Sequence, residues 1–143
     1  MKIGNIYTIL GICLLLAAGC GERGKVTLYD KEIKHIEPKC VRLTIWPSDP
    51  KLRKIVEHLV RIEDLDCPYG LEISTKTSIH CNSAFNAPLK STSNFPDSFL
   101  RIDLRKGMRV LADYYIDLTE PPDENDIENA IEQMQNAGII LPR

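Results

Sequence analysis

The 143 residues contain no glycine-rich phosphate loop, no Gly-x-Ser-x-Gly elbow and no zinc-binding helix motif. The short signatures of nucleotide binding, hydrolase nucleophiles and zinc catalysis are therefore missing. Histidine is scarce, with His35, His58 and His80 making up all three, and none has an evident partner. No His-x-x-x-His or Cys-x-x-Cys spacing supports a metal site, and His80 beside Cys81 is the nearest approach to one. Neither a metal nor a cofactor is expected. Basic charge is not in excess, since 18 Lys and Arg face 20 Asp and Glu, which gives no reason to invoke nucleic acid. Cysteine is too thin for a knotted miniprotein, and the aliphatic composition is that of an ordinary globular domain.

What is present begins with Lys2, the only charge ahead of an uncharged, mostly apolar run from Ile3 to Gly19. That is a short targeting segment with a positive start, near the lower length limit for crossing a bilayer of roughly 30 Å. It ends in Ala17, Ala18 and Gly19, small enough for a peptidase cleft, and Cys20 follows. The stretch Leu14 to Cys20, Leu-Leu-Leu-Ala-Ala-Gly-Cys, resembles the lipobox of bacterial lipoprotein precursors. The resemblance covers residues 1–20 only, and Ala17 stands where that family more often has Leu. It implies loss of residues 1–19 as a signal peptide, a thioether-linked diacylglycerol (palmitate-type lipid) on Cys20, and N-acylation in many bacteria. Acyl chains contribute about 0.8 kcal/mol per buried methylene, so two or three of them hold the remaining chain on one leaflet. An uncleaved transmembrane anchor and an ordinary secretory signal are the other readings of the same run. Gly21 follows the cysteine in place of the aspartate that marks inner-membrane retention in enteric bacteria, and in a cell with two membranes resemblance to that sorting rule implies the outer membrane, facing the periplasm.

Charge is unevenly placed along the product. Residues 20–110 hold 16 bases and 12 acids, whereas 111–143 hold one base, Arg143, and eight acids. A solvated acidic face follows, or a surface for a basic partner. Cys13 leaves with the signal and Cys20 is acylated, so Cys40, Cys67 and Cys81 remain, an odd number in an oxidising compartment. One disulfide and one spare thiol are expected. Cys67 with Cys81 closes the shortest loop and is preferred, provided that Leu71 to Ile79 is a hairpin turning near Thr75; Cys40 with Cys67 is the next pairing.

Period-two alternation predicts strands at Val26–Tyr29, Cys40–Trp46 and Leu71–Ile79. Ser48 is a natural N-cap for a helix running to about Leu65, with Leu52, Ile55, Val56, Leu59 and Ile62 inward and His58 on the solvated face. Asn82 to Asp97 has no period, two prolines and several turn formers; it reads as a long loop in which Phe85, Leu89 and Phe95 fold back on the core or anchor a partner. Leu100, Ile102 and Leu104, then Met108 to Leu118 on even numbers, predict a hairpin closed at Gly107 with Leu104 opposite Met108, Ile102 opposite Val110 and Leu100 opposite Ala112, all facing the core. Asp123 caps a second helix bearing Ile127, Ala130, Ile131, Met134 and Ala137, Gly138 stops it, and Ile139–Leu141 offers a last strand.

The fold class implied is an α+β two-layer sandwich, a mainly antiparallel sheet with two helices on one face, similar in pattern to ferredoxin-like split-βαβ folds with an extra strand. The divisions are 1–19 signal peptide, 20–39 lipidated tether and linker, and 40–143 a single α+β domain. Fold alone assigns no activity. Three functions are weighed: a non-catalytic envelope lipoprotein that binds a protein partner, as an accessory or assembly subunit of a surface or secretion complex; a lipid-anchored inhibitor or immunity protein presenting the 82–97 loop; and a small enzyme using the spare thiol.

Overall fold

In the computed structural model, which describes residues 24–29, 33, 37–63, 66–79 and 96–143, alternation along the chain becomes one five-stranded sheet. The strands are β1 (Lys25–Leu28), β2 (Arg42–Trp46), β3 (Tyr69–Lys76), β4 (Ser98–Lys106) and β5 (Arg109–Leu118), and the helices are α1 (Pro50–Leu59) and α2 (Glu124–Asn136). The spatial order is β1-β5-β4-β3-β2. Every pairing is antiparallel except β2 with β3, which is parallel and crosses over through α1. The parallel strands are direct neighbours, not split by an intervening strand. Leu43, Leu71, Ile73, Leu100, Ile102, Leu104, Ala112 and Tyr114 line one sheet face and meet Leu52 and Val56 of α1 and Ile127, Ala130, Ile131 and Met134 of α2 in a single buried cluster. Both helices thus cover the same face, the two-layer α+β arrangement that the periodicity implies.

Several boundaries differ from the sequence reading. β1 belongs to the sheet and Ile33 is fully buried in its core, so the span 20–39 read as tether and linker supplies a strand and a core residue. The cap of α1 is Asp49, not Ser48: its Oδ1 accepts from the amides of Lys51 (2.8 Å) and Leu52 (3.2 Å), with Pro50 opening the helix. A proline in the first turn wastes no hydrogen bond. α1 stops at Leu59, well short of Leu65, because Val60 is extended and Ile62 forms a parallel bridge to Val41, with the Glu63 amide donating to the Val41 carbonyl at 3.0 Å. Tertiary pairing there wins over helical spacing. That bridge, together with Arg53 Nη2 donating to the Leu43 carbonyl at 3.3 Å, covers part of the outer edge of β2, as exposed edges require.

Cys67 is bonded to Cys40, with Cα atoms 5.9 Å apart. The preferred Cys67–Cys81 pairing is therefore replaced by the second candidate, since β3 is one continuous strand and no hairpin turns at Thr75. Cys81 itself lies outside the described residues, as do Cys20, Phe85, Leu89 and Phe95.

The β4–β5 hairpin forms, but in another register. Gly107 (φ +58°) and Met108 make a two-residue turn between paired Lys106 and Arg109, the form with glycine at the first central position. A bulge at Leu104/Arg105 then inserts Leu111, so Leu104 faces Ala112, Ile102 faces Tyr114 and Leu100 faces Ile116. Met108, expected in the core, is 97% exposed at the tip, and Val110 pairs with Arg105 on the other face. A side chain at Gly107 costs about 1–2 kcal/mol in the left-handed region. Gly107→Val should lower the melting temperature by about 4–8 °C; an unchanged melting curve would contradict this turn.

α2 has the expected ends. Asp123 and Asp126 form a reciprocal capping box, Asp126 N donating to Asp123 Oδ1 at 3.0 Å and Asp123 N to Asp126 Oδ2 at 2.9 Å. At the other end Gly138 (φ +94°) donates to the Gln135 carbonyl and Ile139 to the Met134 carbonyl, a Schellman closure with Ile139 and Met134 both buried. Ile139–Leu141 forms no strand.

Candidate functional site

The helices leave the opposite sheet face uncovered by either of them, and strand pairing sorts its side chains into cross-sheet rows. One row runs Lys25, Tyr115, Arg101, Ser74, Trp46 from β1 to β2. The next runs Thr27, Asp113, Asp103, Glu72, Thr44. Three carboxylates therefore stand side by side on β5, β4 and β3, an arrangement that is destabilising by itself.

Arginines from the flanking rows offset it. Arg101 Nε lies 2.8 Å from Asp103 Oδ1 and 3.9 Å from Asp113 Oδ2. Arg105 reaches Asp103 Oδ2 through Nη2 at 3.2 Å and Glu72 Oε2 through Nε at 2.8 Å. Asp103, clamped from both sides, is 5% exposed, and Asp113 is also buried. The hydrogen bond to Asp103 raises the Arg101 pKa further above its ordinary value. Such charge-assisted pairs fix orientation as well as sign, so the face is a preset array and not a set of loose side chains.

Aromatic groups border the array. Phe99 and Tyr115 stack with ring centroids 5.8 Å apart, and the Tyr115 hydroxyl donates to Asp117 at 2.7 Å. Tyr29 lies at the β1 edge, its pKa raised by hydrogen bonding to Asp113 and by that carboxylate's charge. Tyr115 is raised by its bond to Asp117, and Tyr114, on the core face, by burial. Each phenol thus keeps its proton to higher pH folded than unfolded. The phenols' contribution to stability is fully present below about pH 10, their unfolded value, and is lost as pH rises above it. Tyr114 is the phenol raised chiefly by burial, and alkaline urea melts of Tyr114→Phe should show the slope reduced; an identical slope would assign it to Tyr29 and Tyr115.

At the hairpin end Gly70 carries no side chain, and a recess of about 280 Å³ opens there between Arg42, Thr44, Glu72, Arg105 and Met108. On the helix side a groove of about 890 Å³ lies between the helices, lined among others by Glu57, His58, Arg61, Glu128 and Glu132. His58 is solvated, as its helical position implies. Among the described residues no group of three or more His, Cys, Asp or Glu is arranged to hold a metal ion.

Of the residues singled out in the sequence that lie among the described ones, Cys40 and Cys67 are brought together, and they form a structural bridge. The ionic row was not foreseen. Its one visible signal is the alternation Arg101, Asp103, Arg105, opposite charges on the polar side of the best-patterned strand. Four of the eight acids of residues 111–143 are engaged: Asp113 in the row, Asp117 by Tyr115, and Asp123 with Asp126 in the capping box.

No protein-family model matches the chain, and no curated protein matches it. Among solved structures it is similar to a PelC dodecamer, a point variant from Paraburkholderia phytofirmans, with a TM-score of 0.45 and 8% sequence identity over 84% of this chain and 98% of that chain. The Cys40–Cys67 disulfide is consistent with an extracytoplasmic location. No helix among the described residues is long and apolar enough to cross a membrane.

Proposed function

We propose that this chain is a lipoprotein of the bacterial envelope, anchored through acyl chains on Cys20, whose domain acts without catalysis by binding a protein partner on the open face of its sheet. In a cell with two membranes the anchor sits in the outer one, facing the periplasm. The observation that carries the reading is the sheet face that neither helix covers, where Arg101 and Arg105 hold Asp103 from both sides, with Glu72 2.8 Å from Arg105 and Asp113 3.9 Å from Arg101. Side chains already held in place lose little freedom when a partner docks. The five strands, of 4, 5, 8, 9 and 10 residues, present roughly 570 Å² at about 3.3 Å per residue and 4.8 Å spacing, the greater part of the ~800 Å² per partner of a stable complex.

A photoreactive residue at Thr44, which is exposed on that face, tests it in living cells. Expected is one discrete crosslinked species, not seen from Lys54 on the outer side of α1 and lost when Glu72 and Arg101 are reversed in charge. Equal labelling from Thr44 and Lys54 would contradict the reading.

A further inference from the structure

The row from Lys25 to Trp46 also fixes how an anchored domain would sit. Gly24, the first described residue, lies against the Tyr114 ring, where a Cβ would overlap the phenol. Three residues separate it from Cys20, so the four residue steps between the two span at most about 14 Å. The domain is therefore held close to the bilayer by the end of the sheet where β1 begins. β2 ends at that same level: Trp46 is the far member of the row that starts at Lys25, four strand spacings or roughly 19 Å away. The Gly107–Met108 tip lies at the other end of the sheet, seven residues from Tyr115 along β5 or roughly 23 Å.

Trp46 is 72% exposed, and Tyr115 in the same row is partly exposed. Lys25 and Lys76 stand exposed at this end of the open face. Trp and Tyr settle at the headgroup level of bilayers, where lysine stems lie along apolar matter while their ammonium groups reach phosphate. Of the acids at this end, Asp117 stands on the open face, where it accepts from Tyr115, while Asp49, Asp123 and Glu124 stand on the helix side; with Lys25 and Lys76 beside it the open-face corner is the less acidic one, so an anionic surface tilts that corner toward itself.

We propose that the Trp46 corner of the open face rests in the headgroup layer of the bilayer that holds the Cys20 acyl chains, an inference that depends on the lipid anchor proposed above. A partner bound on this face then docks at the membrane surface, and the hairpin tip points away from it.

Trp46 is the chain's single tryptophan, so its emission reports this contact directly. The acylated protein is reconstituted in vesicles of phosphatidylethanolamine and phosphatidylglycerol, with and without lipid brominated near the headgroup, and acylation is verified by mass. Expected are a blue shift and loss of intensity in the brominated vesicles, both absent for Met108→Trp in a Trp46→Phe background. Acylated protein that floats with vesicles but keeps solvent-like, unquenched Trp46 emission overturns the inference and leaves the anchor standing. Quenching at position 108 in place of 46 overturns it by reversing the pose. Protein that carries no acyl group removes the anchor, and the inference with it.

Discussion

Replacing Cys40 and Cys67 together with Ala is expected to lower the unfolding free energy by about 3–4 kcal/mol, the loop-closure entropy released when a cross-link spanning 27 residues is removed. For a domain of this size that is a fall of roughly 10–15 °C in melting temperature. The bridge spans the crossover region of β2, α1 and β3, the one parallel pairing in the sheet. Parallel pairs need a long connection whose ordering is entropically costly, and the cross-link shortens that search in the unfolded chain. Dithiothreitol should lower the melting temperature of the wild type to that of the double variant and leave the double variant unmoved. A double variant that melts with the wild type would deny the bond a structural role.

The second large effect concerns Asp103. Changing it to Ala leaves Arg101 and Arg105 facing each other across a vacated site, with Asp113 and Glu72 still within reach. Removing one partner from a fully buried ionic group costs 3–5 kcal/mol. Both arginine side chains are about a third or more exposed, so solvent screens part of the loss and about 2 kcal/mol is expected. Asp103→Asn, which keeps the shape and one acceptor, should fall about midway. A double-mutant cycle between Asp103→Ala and Arg105→Ala separates the pair from its surroundings: a coupling of about 1 kcal/mol is expected, whereas strict additivity would mean that the two do not interact. Partner crosslinking from Thr44 should weaken in Asp103→Ala below its unfolding temperature, because the array it orders is the proposed docking surface.

How far these features were legible in the sequence follows from the range of the interactions that set them. β3, β4 and β5 declare themselves through period-two alternation, and α2 through Asp123, its apolar stripe and Gly138, because all of these are local. The register of the hairpin is not local in that sense. Even numbering on both arms suggests that one phase continues through Gly107, but the two-residue turn at Gly107–Met108 and the bulge at Leu104/Arg105, which absorbs Leu111, together move the pairing by four residues, so that Leu104 faces Ala112 and not Met108. Met108 is exposed for that reason, although its number fits the pattern. The end of α1 was missed because Val60 and Ile62 suit either a helix stripe or an extended segment, and only Val41, nineteen residues earlier than Val60, decides between them. The disulfide depended on the same hidden fact, the continuity of β3. The ionic row is the least legible feature of all. Glu72, Asp103 and Asp113 come from three strands, and nothing short of the strand order places them side by side.

The central claim is that Cys20 carries lipid and becomes the first residue of a tethered binding domain. Intact-mass analysis of the N-terminal peptide from cells tests it most directly. The account predicts a peptide beginning at Cys20 and heavier than its sequence by a diacylglycerol, with or without a further acyl chain. A peptide that retains Met1 to Gly19, or one that begins at or after Cys20 without added lipid, would contradict it.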